Sequence, residues 1–330
     1  MARPIQKILL IRLSSIGDIV LCSPVVRSLR TCFPNAEIHF LTKKAFASLL
    51  QHDPAIDKLH LFAGDLSATI RDLRKENFDQ VLDLHRSIRS RRIKLALRIP
   101  TASYQKDRWS ILLYTKYRIG KLPGNHTVDR YAAALDKIGC QLDSKGLDFF
   151  LPDEARQLAK QNIAQHFSDA PVAVVLGGNF QTKRWPKEYF LELLNELKKP
   201  VLLLGGKAEI DDAKWIDERL EVQSLNAVAQ YDLLLSSAML ERAEFVITHD
   251  TGLMHIATAL GQTIFSIWGS TVPEIGFSPY KAKKSIIIEN KELSCRPCSK
   301  LGHAKCPKGH FKCMMDIKPT QVLEAIRTNT

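Results

Sequence analysis

Short β-branched apolar runs alternate with helical segments twice along this chain, and few architectures accept that pattern. Residues 7–13, 37–42, 58–62 and 80–85 read as strands, with helices over 19–30, 45–50 and 66–76 between them. A second series follows, with strands over 172–176, 201–204, 245–248 and 263–268 and helices over 187–197, 210–219, 231–242 and 253–260. Such alternation predicts parallel sheets with helices on both faces. A helix over 152–167, opened by Pro152, separates the series, so the expected domains are 1–167 and 168–330. A last helix, over 320–327, could pack back onto the N-terminal domain. The 330 residues, 45 % hydrophobic and 25 % charged, suit two globular α/β domains. Apolar runs such as 200–204 are far too short to span a membrane. The N-terminus enters its first strand with no cleavable apolar leader, so a cytoplasmic location is expected.

Open α/β sheets bind ligands beyond the carboxyl ends of their strands, so the residues found there carry the functional argument. The first strand runs into Ser14-Ser15-Ile16-Gly17-Asp18. No G-x-G-x-x-G is present, which argues against a dinucleotide oxidoreductase. Asp18, in the first turn of a helix, has two readings. It complements the helix dipole, or it is a general base. Ordinary carboxylate acidity does not disqualify it, because a hydroxyl becomes far more acidic as it attacks. In the second series one strand ends in Gly177-Gly178-Asn179, followed closely by Lys183-Arg184-Trp185-Pro186, which places two cations where a phosphate could bind. The next ends in Gly205-Gly206 with Glu209 close behind, a helix cap or a ligand for ribose hydroxyls. The run His249-Asp250-Thr251-Gly252-Leu253-Met254-His255 sets Asp250 and Thr251 at a turn and lets Gly252 open a helix whose amides can hold a diphosphate. His255, one turn on, is either structural or ligand-facing.

The formal charge of +12 is concentrated. Residues 86–121 carry eleven basic side chains, Arg86, Arg89 and Arg92 among them, against the single acid Asp107, a net +10 in 36 residues. A solvated helix face accounts for 89–98, but such density also points to an anionic partner: nucleic acid, a phosphorylated substrate or a membrane surface. Tyr104, Trp109, Tyr114 and Tyr117 in the same stretch make base stacking conceivable, so a nucleic-acid-binding protein is the alternative reading. It leaves the strand-end residues unexplained. Of seven cysteines, Cys22, Cys32 and Cys140 are scattered and expected to pack as small apolar residues. Cys295, Cys298, Cys306 and Cys313 could hold a structural zinc, with His303 and His310 as spare ligands. Buried thiols or a disulfide are the other readings, the disulfide weakened by a cytoplasmic location.

The segments K-I-L-L-I-R-L-S-S-I-G-D-I-V-L, K-R-W-P, D-T-G-L-M-H-I-A-x-A and D-I-K-P-T-Q-V-L-E-A-I, in that order, resemble glycosyltransferase family nine, the ADP-heptose:lipopolysaccharide heptosyltransferases. The resemblance covers nearly the whole chain. It implies a GT-B fold, two Rossmann-like doubly wound domains facing a central cleft, and an inverting, metal-independent transfer with no cofactor required for catalysis. It implies that Asp18 takes the proton from the acceptor hydroxyl and that Lys183, with Arg184 beside it, binds the donor phosphates. Glu209 would bind the nucleoside, Asp250 the donor sugar, and Thr251, Gly252 and His255 would form the diphosphate-facing helix start. Gly178 and Asn179 stand where some members carry hydroxyl residues. The implied partners are a nucleotide-sugar donor and an anionic glycolipid acceptor on the basic N-terminal side, near Arg86, Arg89 and Arg92, with no nucleic acid expected. That side would lie peripherally on the cytoplasmic face of the inner membrane.

Overall fold

A computed structural model describes residues 4–143, 145–178 and 180–330; Asn179 lies outside the described residues. Five strands, β1 (Lys7–Ile11), β2 (Glu37–Lys43), β3 (Lys58–Phe62), β4 (Gln80–Asp83) and β5 (Thr101–Ser103), form one sheet in the order β3-β2-β1-β4-β5. Six more, β6 (Val172–Val175), β7 (Val201–Leu204), β8 (Ser224–Asn226), β9 (Val246–His249), β10 (Thr263–Trp268) and β11 (Lys284–Glu289), form a second in the order β11-β10-β9-β6-β7-β8. Every strand pairing among the described residues is parallel. The central strands β4, β6, β7 and β9 are buried along their whole length. Helices cover both faces of such sheets, so these strands read as continuous apolar runs rather than alternating ones.

Several expected elements change shape. The helix expected over 19–30 is two helices, Ile16–Val20 and Ser23–Cys32, with Pro24 in the first turn of the second. Proline has no amide hydrogen to continue a helix but suits a first turn. The short helix expected over 45–50 is a 3₁₀ segment, Lys44–Leu49. The basic stretch holds two helices, Ile88–Leu97 and Arg108–Tyr117, with β5 between them. Cys32 and Cys140, expected as packed thiols, form a disulfide with Cα atoms 5.8 Å apart. Their separation of 108 residues hides the pairing from the sequence.

The chain divides into two compact units, Met1–Lys106 with Asn125–Phe150, and Asp107–Gly124 with Leu151–Thr330. This differs from a division at 167/168 in two ways. The helix Asp153–His166 belongs to the second unit, where Arg156 forms a two-pronged pair with Glu241 at 3.0 and 3.2 Å and Asn162 accepts from the Tyr231 hydroxyl at 3.1 Å. Residues 107–124 also join that unit, because Ile111 and Leu122 pack with Val272 and Ile275. The terminal helix, Pro319–Asn329, was expected on the N-terminal domain. Its Val322, Leu323 and Ile326 instead enter the core of their own unit with Phe190, Leu193 and Leu194.

Candidate active site

In the first unit the chemistry collects beyond the end of β1. Arg12 is buried, with only 7 % of its side chain exposed, and every nitrogen of its guanidinium is engaged. Nε donates to the Ser14 carbonyl at 2.8 Å, Nη1 to the Leu84 carbonyl and to the Tyr131 hydroxyl at 3.1 Å, and Nη2 pairs with Asp18 Oδ1. The other carboxylate oxygen of Asp18 accepts from the Ser15 hydroxyl at 3.0 Å and the Ser15 amide at 3.3 Å. Burial disfavours the ionised carboxylate, but Arg12 and the two Ser15 hydrogen bonds outweigh it, so the Asp18 pKa falls below the usual carboxylate value. Asp18 is the partner that faces solvent, with 22 % of its side chain exposed.

The neighbouring strand end adds a residue that sequence reasoning missed. Asp83, at the end of β4, is fully buried and accepts from the amides of His85 and Arg86 at 3.0 and 2.7 Å. It also accepts from the Ser90 hydroxyl at 3.0 Å and pairs with Lys94 at 2.8 Å. This carboxylate fixes the turn that presents His85. Burial first, then the charges of Arg12 and Lys106, bring the His85 pKa down to about 4, so its ring is neutral at physiological pH. Its Nδ1 is buried without a hydrogen-bond partner among the described residues. The three arginines expected on the acceptor side behave differently from one another. Arg86 is tied to the Tyr104 carbonyl at 2.7 Å, Arg89 lies 6.0 Å from the centre of the Phe62 ring, and Arg92 is exposed.

In the second unit the expected donor-site residues form two ion pairs. Lys183 Nζ reaches Asp250 Oδ2 at 2.5 Å and the Asp250 carbonyl at 3.2 Å. The same carboxylate oxygen accepts from the Thr271 hydroxyl at 2.9 Å. Arg184 Nη2 reaches Glu209 Oε1 at 2.6 Å, and Glu209 Oε2 accepts from the Gly206 amide at 2.9 Å. Glycines leave close-fitting room around Glu209. A Cβ on Gly177 would stand 3.2 Å from its Oε2, and one on Gly205 would stand 3.2 Å from its own Cβ. Thr251 is the N-cap of the helix Gly252–Ala259 and accepts from the Met254 amide at 3.3 Å, so its hydroxyl already serves the helix start. His255 is buried within that helix.

Two further residues organise this site. His249, fully buried at the end of β9, accepts from the Trp185 amide through Nε2 at 3.0 Å. That contact leaves the hydrogen on Nδ1, which donates to the Gly177 carbonyl at 3.2 Å. One ring thus joins the Gly177 strand end, the K-R-W-P loop and the Asp250 turn. Burial above all, with Arg184 and Lys183 adding to it, lowers its pKa to about 4. Arg296, between Cys295 and Cys298, is buried and donates to the carbonyls of Trp268, Gly269, Thr271 and Asn290, and it pairs with Glu289 at 2.9 Å. It sets the loop that delivers Thr271 to Asp250. The Thr182 hydroxyl accepts from the His303 amide at 2.8 Å, so the cysteine-rich segment also braces the K-R-W-P loop.

Cys295, Cys298, Cys306 and Cys313, on which a structural zinc is expected, belong to this same segment. Cys313 packs into the core beside Met314 and Ile317, and burial pushes its thiol up to about 12. Cys295 Sγ lies 3.9 Å from His310 Nε2. Among the described residues, the one group of three metal-type ligand atoms within 4.8 Å of one another lies elsewhere, on β2, β3 and Glu76. The thiols of Cys295 and Cys306 act on that of Cys298, and all three act on that of Cys313, so the four cysteines lie in one neighbourhood.

Comparison with known proteins places this geometry. The description of glycosyltransferase family 9 (heptosyltransferase) matches residues 66–307. The lipopolysaccharide heptosyltransferase 1 of Pseudomonas aeruginosa is 24 % identical, over 98 % of this chain and 95 % of the relative. Among solved structures, the family 9 glycosyl transferase from Veillonella parvula superposes with a TM-score of 0.83 at 22 % identity, covering 99 % of this chain and 98 % of that one. The ADP-heptose lipopolysaccharide heptosyltransferase II of E. coli gives 0.78 at 22 % identity, covering 98 % of each chain. The nucleic-acid reading finds no support in these likenesses. With two parallel α/β units of the GT-B type and a family match over most of its length, this chain is a glycosyltransferase and belongs to glycosyltransferase family 9, the heptosyltransferases.

Proposed function

We propose that the protein transfers heptose from ADP-heptose to a lipopolysaccharide core acceptor, inverting the anomeric centre in one displacement. The observation that carries this reading is Asp18: a carboxylate held ionised by buried Arg12 yet open to solvent at a strand end. In the reaction the acceptor oxygen bonds to the anomeric carbon as the bond from that carbon to the diphosphate breaks. Asp18 takes the acceptor's proton. Its low pKa fits, because the hydroxyl becomes strongly acidic only as the new bond forms. The negative charge that develops on the departing ADP is met by Lys183, with Arg184 behind it, and by the amides at the start of the Gly252–Ala259 helix. Lys183 supplies this charge in place of a metal ion. Asp250, released from Lys183, holds the donor sugar, and Glu209 holds the nucleoside.

The acceptor is anionic and lipid-linked, and the surface chemistry suits it. The helix Ile88–Leu97 exposes Arg89, Arg91 and Arg92 together with Ile88 and Leu95. The helix Arg108–Tyr117 exposes Trp109, 76 % open to solvent, along with Leu112, Leu113 and Tyr117, and basic Arg108, Lys116, Arg118 and Lys121 lie on it or just beyond it. Exposed apolar side chains interleaved with lysine and arginine are the signature of a surface that rests in an anionic lipid interface. We therefore place the enzyme peripherally on the cytoplasmic leaflet. No helix among the described residues is long and apolar enough to cross a membrane.

The test supplies ADP-heptose and a core glycolipid acceptor. Wild type should yield a product of inverted configuration. Asp18→Asn should lose transfer by about 10³-fold while ADP still raises its melting temperature. Absence of product from ADP-heptose, with product from another nucleotide sugar, would overturn the donor assignment; near-normal turnover by Asp18→Asn would remove the base.

A further inference from the structure

A second cluster of chemistry lies on the first sheet, away from the strand ends that carry Asp18 and His85. His39 on β2 and His60 on β3 approach through Nδ1 and Nε2 at 3.0 Å, and Glu76 Oε2 stands 4.0 Å from His39 Nδ1. All three ligand atoms lie within 4.8 Å of one another. The register explains the meeting: His39 pairs with Lys58 and Leu41 with His60, so the two imidazoles are diagonal neighbours on one face. On its far side, His39 Nε2 is 3.0 Å from Glu37 Oε2. A carboxylate there takes the Nε2 hydrogen and turns the Nδ1 lone pair toward His60 and Glu76, the arrangement that orients histidine ligands in metal sites. The ring of Phe78 packs edge-on against both imidazoles and closes the inner side.

We propose that His39, His60 and Glu76 form a binding site for a divalent transition-metal cation such as zinc, separate from the transfer site and serving to clamp the sheet. Two imidazole nitrogens and one carboxylate oxygen suit zinc, with water as a fourth ligand. Metal–nitrogen bonds of about 2.0–2.1 Å in a tetrahedron put ligand atoms about 3.3 Å apart, and the two measured edges, 3.0 and 4.0 Å, bracket that spacing. Lys58 pairs with Glu76 Oε1 at 2.5 Å, while Oε2, the oxygen nearer His39, has Lys7 at 3.5 Å, a longer contact that a cation would displace. Lys7 bridges Glu37 at 2.9 Å and Glu76 at 3.5 Å, so the carboxylates are balanced by lysines when the cation is absent. The bound cation would tie β2, β3 and the end of the helix Leu66–Lys75 together.

The experiment titrates Co(II) and Zn(II) into chelator-stripped full-length protein and follows the cobalt spectrum and the melting temperature. One equivalent of Co(II) should give weak visible d–d bands with no sulfur-to-cobalt charge transfer, and Zn(II) should raise the melting temperature. His60→Asn and Glu76→Gln should lose both effects, Cys298→Ser should keep both, and Glu37→Gln should weaken binding about 10-fold. Each variant's circular dichroism checks that it folds. Failure of wild type to bind either ion overturns the proposal, since the cluster is then only hydrogen-bonded. Binding with sulfur-to-cobalt charge transfer that survives His60→Asn also overturns it, because the metal then sits on the cysteines.

Discussion

At the end of β1 and at the end of β6, this protein does the same thing in opposite ways. Each site joins a cation to a carboxylate. In the Arg12–Asp18 pair the cation is sealed inside, four contacts deep, and the carboxylate faces outward. In the Lys183–Asp250 pair both side chains are 12 % exposed, and among the described residues the lysine's ammonium contacts Asp250 alone. The first pair is permanent, because a guanidinium without its carboxylate would be a bare buried charge, while the lone pairs of the acid remain usable. The second is exchangeable: a diphosphate can take Lys183 from Asp250 without stranding a charge out of reach of water. A fixed pair suits a group that must hold one protonation state throughout a reaction. A loose pair suits groups that must change partners when a ligand arrives and leaves.

The sharpest break of that contrast is Arg12→Met. Asp18 would lose its main stabilising charge while burial remained, so its pKa should rise. In wild type, the lowered pKa contributes stability that is present above the ordinary carboxylate value near 3.9 and lost as pH falls through the lower folded value. In Arg12→Met that contribution should vanish, with a loss of about 3 kcal/mol at neutral pH by denaturant titration. The acid limb of kcat/KM should move upward in pH. An unmoved limb would show that Arg12 does not set the ionisation of Asp18. Next in size, Lys183→Ala should weaken ADP binding by about 10- to 100-fold, the range of one charge-assisted contact, and should cost far less stability than Arg12→Met. Calorimetry with ADP decides this, and unchanged affinity would make the Lys183–Asp250 pair as structural as the other. The smallest effect expected is on the outer surface. Replacing Trp109 and Leu112 together with alanine should lower co-sedimentation with phosphatidylglycerol vesicles by about 3-fold and leave ADP binding unchanged. Equal sedimentation of both proteins would remove that helix from the interface.

Much of this was open to reading in the residues, and what was hidden shares one physical cause. The strands of both series were legible because buried parallel strands are continuous apolar runs. β5 and β8 were not, because three residues carry too little pattern. β11, Lys284–Glu289, has the composition of a strand and lies outside both alternating series. The strand-end residues Asp18, Lys183, Glu209 and Asp250 stood out because glycine, charge and a helix start coincide there. Their partners did not. Arg12 reads as one position in a strand, and its meaning comes from Tyr131, 119 residues away. Lys183 and Asp250 are 67 residues apart, and Arg184 and Glu209 meet across two separate strand ends, where glycines leave close room for the carboxylate. Arg296 was masked by its flanking cysteines, which drew the reading toward a metal and away from the guanidinium that holds the loop. Local pattern therefore reported where each reactive group sits, and only the folded chain reported what holds it.

The strap of residues 107–124 has a consequence for how the protein is made. Ile111 leaves the ribosome 161 residues before Val272, the residue it packs against. At ordinary rates of translation that interval is on the order of 10–30 s. Throughout it, the nascent chain carries Ile111 and Leu122 uncovered, beside a helix that already displays Trp109 and Tyr117. Synthesis order thus gives this segment a period of exposure and makes it a point of engagement for a chaperone or for the membrane itself.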